Sequence, residues 1–208
     1  MPTSHKFWDR IAERYSKKPV SDEAAYQRKL EITRGYFRPD MEVLELGCGT
    51  GSTAIAHAPF VKHVLAADVS PKMLEIARTK ADAATIENVT FQQSTVEDFN
   101  AADGSFDVVM AHSLLHLLED KEAAIAKVHR MLKPGGHFVT STVCIGEKMG
   151  WFKLIGPIGH ALGVIPLVKV FKKRDLEQSL TAADFVLDHV WQPDDGMSVF
   201  IVAKKPEG

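Results

Sequence analysis

The stretch Val43-Leu44-Glu45-Leu46-Gly47-Cys48-Gly49-Thr50-Gly51-Ser52 limits what this chain can fold into more than any other. Val43, Leu44 and Leu46 predict a short buried strand, the glycines at every second position predict a turn, and about Ser52 to Ala58 predicts a helix. Glycine reaches positive φ without a Cβ clash and lets a ligand lie against bare main chain. The unpaired N–H groups of the helix's first turn point back at that turn, which suits an anionic or nucleotide-type ligand. The spacing is G-x-G-x-G, and Ser52 stands where a dinucleotide fingerprint needs its third glycine. A second apolar run, Val64-Leu65-Ala66-Ala67, ends in Asp68. A carboxylate on the tip of the neighbouring strand is placed to accept hydrogen bonds from two ribose hydroxyls, so the ligand expected is one that contains adenosine.

Around that stretch, strand and helix patterns alternate. Strands are expected over about Met41–Leu46, His63–Asp68, Val89–Gln93, Phe106–Ala111 and His137–Val143. Ser70-Pro71 is a helix-start signal for Pro71 to about Ala83, and a further helix runs from about Asp120 to Leu132, closed by Pro134-Gly135-Gly136. The alternation calls for a mostly parallel, doubly wound α/β sheet with helices on both faces. Phe185–Trp191 and Val199–Ala203 break the pattern: Pro193-Asp194-Asp195-Gly196 is too short for a crossover helix, so the two strands pair antiparallel.

Before the first strand, Phe7, Trp8, Ile11, Ala12 and Tyr15 share one side of a helix whose other side carries Asp9, Arg10, Glu13 and Arg14. A second helix is expected over about Asp22–Phe37. Residues 1–40 thus read as a helical cap over the loop end of the sheet, or as cover for a sheet edge. The segment Gly146–Phe171 is apolar but broken by prolines and glycines, which suits a lid or pocket wall and not a membrane span. The whole reads as one domain, 1–208, with the cap at 1–40 and a lid or insert at 146–182.

Charge is nearly balanced, with 25 Lys plus Arg against 27 Asp plus Glu, so no bulk positive charge argues for a nucleic-acid partner. Two cysteines, Cys48 and Cys144, are too few for a disulfide scaffold, and the N-terminus has no apolar signal core; both point to the cytoplasm. The histidines show no metal-ligand spacing, so no metal is expected.

Five ordered blocks resemble the class I S-adenosylmethionine-dependent methyltransferases of the small-molecule type. They are Glu45-Leu46-Gly47-Cys48-Gly49-Thr50-Gly51, Asp68-Val69-Ser70-Pro71-Lys72-Met73-Leu74, Ser94-Thr95-Val96-Glu97-Asp98, Phe106-Asp107-Val108-Val109-Met110-Ala111 and Leu132-Lys133-Pro134-Gly135-Gly136. The resemblance covers about Met41 to Val143, and the closing hairpin fits the family's antiparallel last strand, giving a seven-stranded Rossmann-like sheet. It implies S-adenosylmethionine as cofactor. Gly47, Cys48, Gly49 and Gly51 would line its methionine part, Glu45 would orient its ammonium group, and Asp68 would hold the ribose hydroxyls. Val69 and Met73 would pack on adenine, and Val96 would offer its backbone N–H to the ring. Thr95 stands where relatives often carry an aspartate that accepts from the adenine amino group. The backbone around Ala111 and His112 would meet the methionine moiety.

The chemistry implied is in-line displacement at the sulfonium methyl group, with the protein aligning, excluding water and removing a proton where the acceptor carries one. His116, just past the fourth strand, is the candidate general base, because an unperturbed imidazole titrates near neutral pH; its other reading is an ordering role. His112 reads as pocket wall, His160 as a weaker candidate, and Tyr15 and Tyr26 as core or as cofactor contacts from the cap. Asp107 belongs to the strand, and Lys169, Lys172, Lys173 and Arg174 read as a solvated helix start or a receptor for an acidic group. The apolar 151–171 stretch suggests a small, substantially apolar acceptor. Two other readings stay open: an NAD-dependent oxidoreductase, and a non-catalytic cofactor-binding or scaffold protein.

Overall fold

The computed structural model describes residues 4–146, 165–193 and 196–207. They form two compact units, Met1–Asn100 and Ala101–Gly208. The first contains α1 (Ser4–Lys17), α2 (Glu23–Arg34), β1 (Glu42–Leu46), α3 (Ser52–His57), β2 (His63–Asp68), α4 (Pro71–Ala83) and β3 (Val89–Gln93). β1 pairs parallel with β2, and β2 parallel with β3, in a register that sets Leu46 beside Ala67 and Asp68 beside Gln93. Val43, Leu44, Val64 and Ala66 are fully buried, which is what apolar residues on a two-face-covered parallel strand require.

The helix starts follow the capping chemistry. The Ser70 hydroxyl accepts from the Met73 N–H at 3.1 Å with Pro71 in the first helical position, and the Asp22 carboxylate accepts from the Ala25 N–H at 2.9 Å. α2 stops at Arg34 and not at Phe37, because beyond Gly35 the N–H groups of Tyr36 and Phe37 bond to the carbonyls three residues back. This tighter turn keeps the Phe37 ring edge-on to His57, with centroids 4.9 Å apart.

The second unit contains β4 (Phe106–His112), a 3-10 turn at Leu115–Leu117, α5 (Lys121–Met131), β5 (Leu132–Val143), α6 (Lys173–Ala182), β6 (Val186–Trp191) and β7 (Ser198–Lys204). β4 and β5 are parallel, while β7 runs antiparallel to both β5 and β6. The expected closing hairpin is therefore present. β5 begins at Leu132, five residues before the expected His137. Leu132 already pairs with Phe106, and a register shift between Phe106 and Val108 absorbs Lys133-Pro134-Gly135-Gly136 into the strand. The Lys205 ammonium donates to the carbonyls of His129 and Leu132, both at 2.8 Å, and so satisfies the end of α5. Phe138, Phe200, Ile201 and Val202 are completely buried between these strands and their helices, each worth about 1.5–3 kcal/mol of apolar transfer.

The basic cluster reads as expected on its second half: Lys172 precedes α6, its N–H donating to Asp175 at 2.9 Å. The strands are ordered β3-β2-β1-β4-β5-β7-β6 in one seven-stranded sheet, mostly parallel with an antiparallel last strand, β7. Residues 147–164 of the expected lid, including His160, lie outside the described residues. No helix among the described residues is long and apolar enough to cross a membrane.

Candidate functional site

The glycine turn is built as its sequence demands. Gly47, Gly49 and Gly51 have φ of 69°, 53° and 74°, in the left-handed region where a side chain is strained. Gly51 also has no room for one, since a Cβ there would stand 2.8 Å from the Ala77 Cβ and 3.0 Å from the Phe91 ring. At Gly49 the Cβ direction is open, with nothing within 4 Å. The turn is thus pressed against α4 and β3 on one side and offers bare backbone on another. Cys48 is buried, its N–H donating to the Ala67 carbonyl at 3.0 Å, and burial pushes its thiol well above the ordinary range.

Asp68 ties this turn to the tip of β2. Its Oδ2 accepts the Gly49 N–H at 2.8 Å and its Oδ1 the Ser70 N–H at 2.9 Å. Each carboxylate oxygen has two acceptor positions, so one bond apiece leaves capacity for a diol. Burial raises the Asp68 pKa, against the lowering effect of the two backbone donors. Met73 is buried behind this corner and Val69 is half-buried beside it.

Glu45 is only 2% exposed, and burial pushes its pKa up to about 8, with the charge of Asp68 adding to the rise. Its Oε2 has no hydrogen-bond partner among the described residues. An acid in that position is protonated at neutral pH until a cation arrives beside it. Tyr15 and Tyr26 stand close enough to feel this corner: burial chiefly raises both phenols, with Asp68 and Glu45 acting on Tyr15 and Glu45 on Tyr26.

Thr95 is engaged within its own loop. Its hydroxyl donates to the Asp98 carboxylate at 2.9 Å and accepts the Asp98 N–H at 3.0 Å, a local turn that uses up the side chain. Val96 next to it is buried. Two residues had no usable signal in the sequence. Asp9, assigned to the outer side of α1, is half-buried and accepts from the Ser70 hydroxyl at 2.5 Å and the Lys72 N–H at 3.3 Å. Lys80 donates to the Thr50 and Ser52 hydroxyls at 2.9 and 3.2 Å, bracing the far end of the turn.

In the second unit, β4 delivers Ala111, buried, and His112, half-buried, to its carboxyl end. The Ala111 carbonyl accepts from the Thr140 hydroxyl at 3.0 Å. Ser113 then turns the chain sharply at φ 52°, its N–H donating to the Ser141 carbonyl at 2.6 Å. This turn swings His116 inward to 9% exposure. The His116 carbonyl accepts the Lys169 N–H at 2.7 Å, and its Nδ1 is buried with no partner among the described residues. Burial lowers its pKa to about 4, so the imidazole is neutral across the physiological range and not poised at its midpoint, as the unperturbed value led one to expect. Asp107 lies in β4 bonded to Lys133 at 2.8 Å, a structural pair. Among the described residues no group of His, Cys, Asp and Glu is arranged to hold a metal ion.

Residues 43–136 match the family described as "Methyltransferase domain". An uncharacterized methyltransferase of Bacillus subtilis, YcgJ, is 36% identical over 110 residues, which are 53% of this chain and 44% of that protein. The ubiquinone/menaquinone biosynthesis C-methyltransferase UbiE of Shewanella is 36% identical over 103 residues, 48% of this chain and 41% of that protein. The chain therefore spans less than half the length of these relatives. Among solved structures, the [4+2]-cyclase SpnF superposes with a TM-score of 0.81 at 18% identity, covering 100% of this chain and 97% of that one. An S-adenosylmethionine-dependent methyltransferase from Mesorhizobium loti gives 0.71 at 21%, covering 88% and 99%. At such identities the superpositions speak for the fold alone. Residues 43–136, less than half of the chain, are thus similar to a methyltransferase domain, and the superpositions show the fold shared with S-adenosylmethionine-dependent methyltransferases.

Proposed function

We propose that this chain is a class I methyltransferase that transfers a methyl group from S-adenosylmethionine to a small, substantially apolar acceptor by in-line displacement. The observation that carries the reading is the Asp68 corner: one carboxylate fixed by the N–H groups of Gly49 and Ser70, beside an open glycine backbone. These residues fit the cofactor. Asp68 retains the acceptor capacity that a ribose diol needs, Gly49 leaves room for the amino-acid tail, and the buried Glu45 Oε2 lacks the partner that an ammonium would be.

The sulfonium supplies a methyl group already activated for transfer, and the protein's part is alignment. On this reading Gly47, Cys48, Gly49 and Gly51 line the tail, Val69 and Met73 pack the base, and the Val96 backbone recognises its edge. Thr95 acts only by shaping its turn. Ala111 and His112 belong to the same cofactor set, by the family pattern. His116 serves as proton acceptor: a neutral imidazole can take a proton from the acceptor as the new bond to carbon acidifies it, even with a low pKa. An NAD-dependent oxidoreductase is disfavoured by Ser52 at the third-glycine position and by the antiparallel β7. Cys48 and Cys144, both buried and neither in a disulfide, suit a reducing cytoplasm.

The test is transfer of labelled methyl to a panel of small phenols, thiols, amines and lipid-like quinols. Labelled product is expected from at least one of them; labelling of RNA or protein alone contradicts the acceptor class. S-adenosylhomocysteine binding without any turnover favours the non-catalytic reading.

A further inference from the structure

Within the first unit, α1 sets Asp9 and Ala12 three residues apart and hence on one face, where Ala12 is completely buried and Asp9 half-buried. That face meets the start of α4. The Asp9 Oδ1 accepts the Ser70 hydroxyl at 2.5 Å and the Lys72 N–H at 3.3 Å. The Lys72 N–H is one of the first-turn donors that a helix cannot satisfy from within, so a carboxylate 61 positions before Ser70 completes the cap of α4.

Ser70 caps the helix with its lone pairs alone: its oxygen accepts the Met73 N–H at 3.1 Å, and that bond leaves the hydroxyl proton to be placed elsewhere. Asp9 takes that proton. Ser70 is completely buried, so an acceptor for it has to come from within the fold. With donor and acceptor sides both engaged, the Ser70 side chain is fixed, and with it the main chain whose N–H donates to the Asp68 Oδ1 at 2.9 Å. Asp9, Ser70 and Asp68 therefore form one hydrogen-bonded line from α1 to the tip of β2. Its electrostatics work against it. Burial chiefly raises the Asp68 pKa and the charge of Asp9 adds to the rise, so the line does nothing to favour the ionised Asp68. What it supplies is position: one Asp68 oxygen is held to a fixed donor while the Gly49 N–H holds the other at 2.8 Å.

We propose that Asp9 is a positioning residue for the ribose grip: through Ser70 it fixes the Asp68 carboxylate in the orientation that receives the cofactor's two hydroxyls. This rests on the methyl-transfer reading and adds a residue of α1 to the site that reading uses. The role needs an acceptor oxygen at Asp9, not its charge.

The test titrates S-adenosylhomocysteine and adenosine into the full chain and into Asp9→Leu, Asp9→Ala, Asp9→Asn, Asp68→Ala and Asp9→Leu/Asp68→Ala, with circular dichroism confirming the fold of each. Asp9→Leu keeps the shape of the side chain without its oxygens, and Asp9→Ala removes both. Each is expected to weaken both ligands about tenfold, within the usual range of coupling between linked sites. Asp9→Asn keeps an oxygen for the Ser70 hydroxyl and loses the charge, so it should stay within about twofold of the wild type. In the Asp68→Ala background the Asp9→Leu loss should vanish, because no carboxylate is left to position. A merely structural Asp9 would weaken binding by the same factor in both backgrounds, and that result overturns the proposal. So does Asp9→Asn binding as poorly as Asp9→Leu. Wild-type affinity for S-adenosylhomocysteine in every Asp9 variant overturns the positioning role and leaves the methyl-transfer reading standing. The expected coupling seen with adenosine while S-adenosylhomocysteine fails to bind supports the positioning role and overturns the methyl-transfer reading instead. Failure of the wild-type chain to bind either ligand overturns both.

Discussion

The corner around Asp68 and the turn around His116 both sit at the carboxyl ends of parallel strands, yet they are finished in opposite ways. At Asp68 both carboxylate oxygens are held by backbone N–H groups, and Ser70 passes the connection on to Asp9 of α1. At His116 the main chain is anchored through Ser113 and Lys169, while the buried ring nitrogen Nδ1 has no partner among the described residues. The first arrangement fixes geometry before any ligand arrives. The second keeps a neutral acceptor in reserve, and that difference separates a binding role from a proton-handling one.

The largest effect expected from this contrast is in pH dependence. The folded pKa of Glu45, about 8, lies above its unfolded value of 4.5, so its contribution is intact below pH 4.5 and is lost as pH rises towards 8. His116 does the reverse: with a folded pKa of about 4 against 6.5 unfolded, its stability is intact above 6.5 and falls as pH drops towards 4. Linkage bounds the Glu45 loss at about 5 kcal/mol and the His116 loss at about 3 kcal/mol. Thermal unfolding from pH 4 to 8 should show Glu45→Gln removing the alkaline fall and His116→Phe removing the acid fall. Saturating S-adenosylhomocysteine should also suppress the alkaline fall, with proton release visible in calorimetry across buffers of different ionisation enthalpy. Identical profiles for all three proteins would break the contrast.

A kinetic version comes next. His116→Ala should lower turnover by about 100-fold while leaving the S-adenosylhomocysteine affinity unchanged, the signature of a proton acceptor and not of a binding contact. Unchanged turnover would leave His116 an ordering residue of its 3-10 turn.

Glycines sharpen the comparison further. Gly51→Ala meets both positive φ and the Ala77 and Phe91 side chains, and should cost about 2–3 kcal/mol in denaturant unfolding. Gly104→Ala has similar φ but open space, and should cost about 1 kcal/mol. Equal losses would mean that packing against α4 and β3 does not constrain the turn.

How much of this was legible in the sequence follows the same division. The glycine turn, Asp68 and the Ser70-Pro71 helix start could be read because backbone geometry admits few residue types there. The antiparallel hairpin could be read from the length of its link. Asp9 could not, since its partner Ser70 lies 61 residues away and nothing local distinguishes it from a solvated aspartate. The early start of β5 was hidden because Lys133-Pro134-Gly135-Gly136 has turn composition, and only pairing with Phe106 makes it strand. The depressed titration of His116 is a property of burial, which its neighbours in sequence do not announce.

The smallest effect expected is at Lys205, where loss of the bonds to His129 and Leu132 in Lys205→Met should lower stability by about 1 kcal/mol without touching either site. The most direct test of the whole account is calorimetric titration of S-adenosylhomocysteine into the wild-type chain and Asp68→Ala. The account predicts measurable binding that weakens by about 100-fold in the variant, as loss of two charge-assisted hydrogen bonds requires. Equal affinity in the two proteins would contradict it.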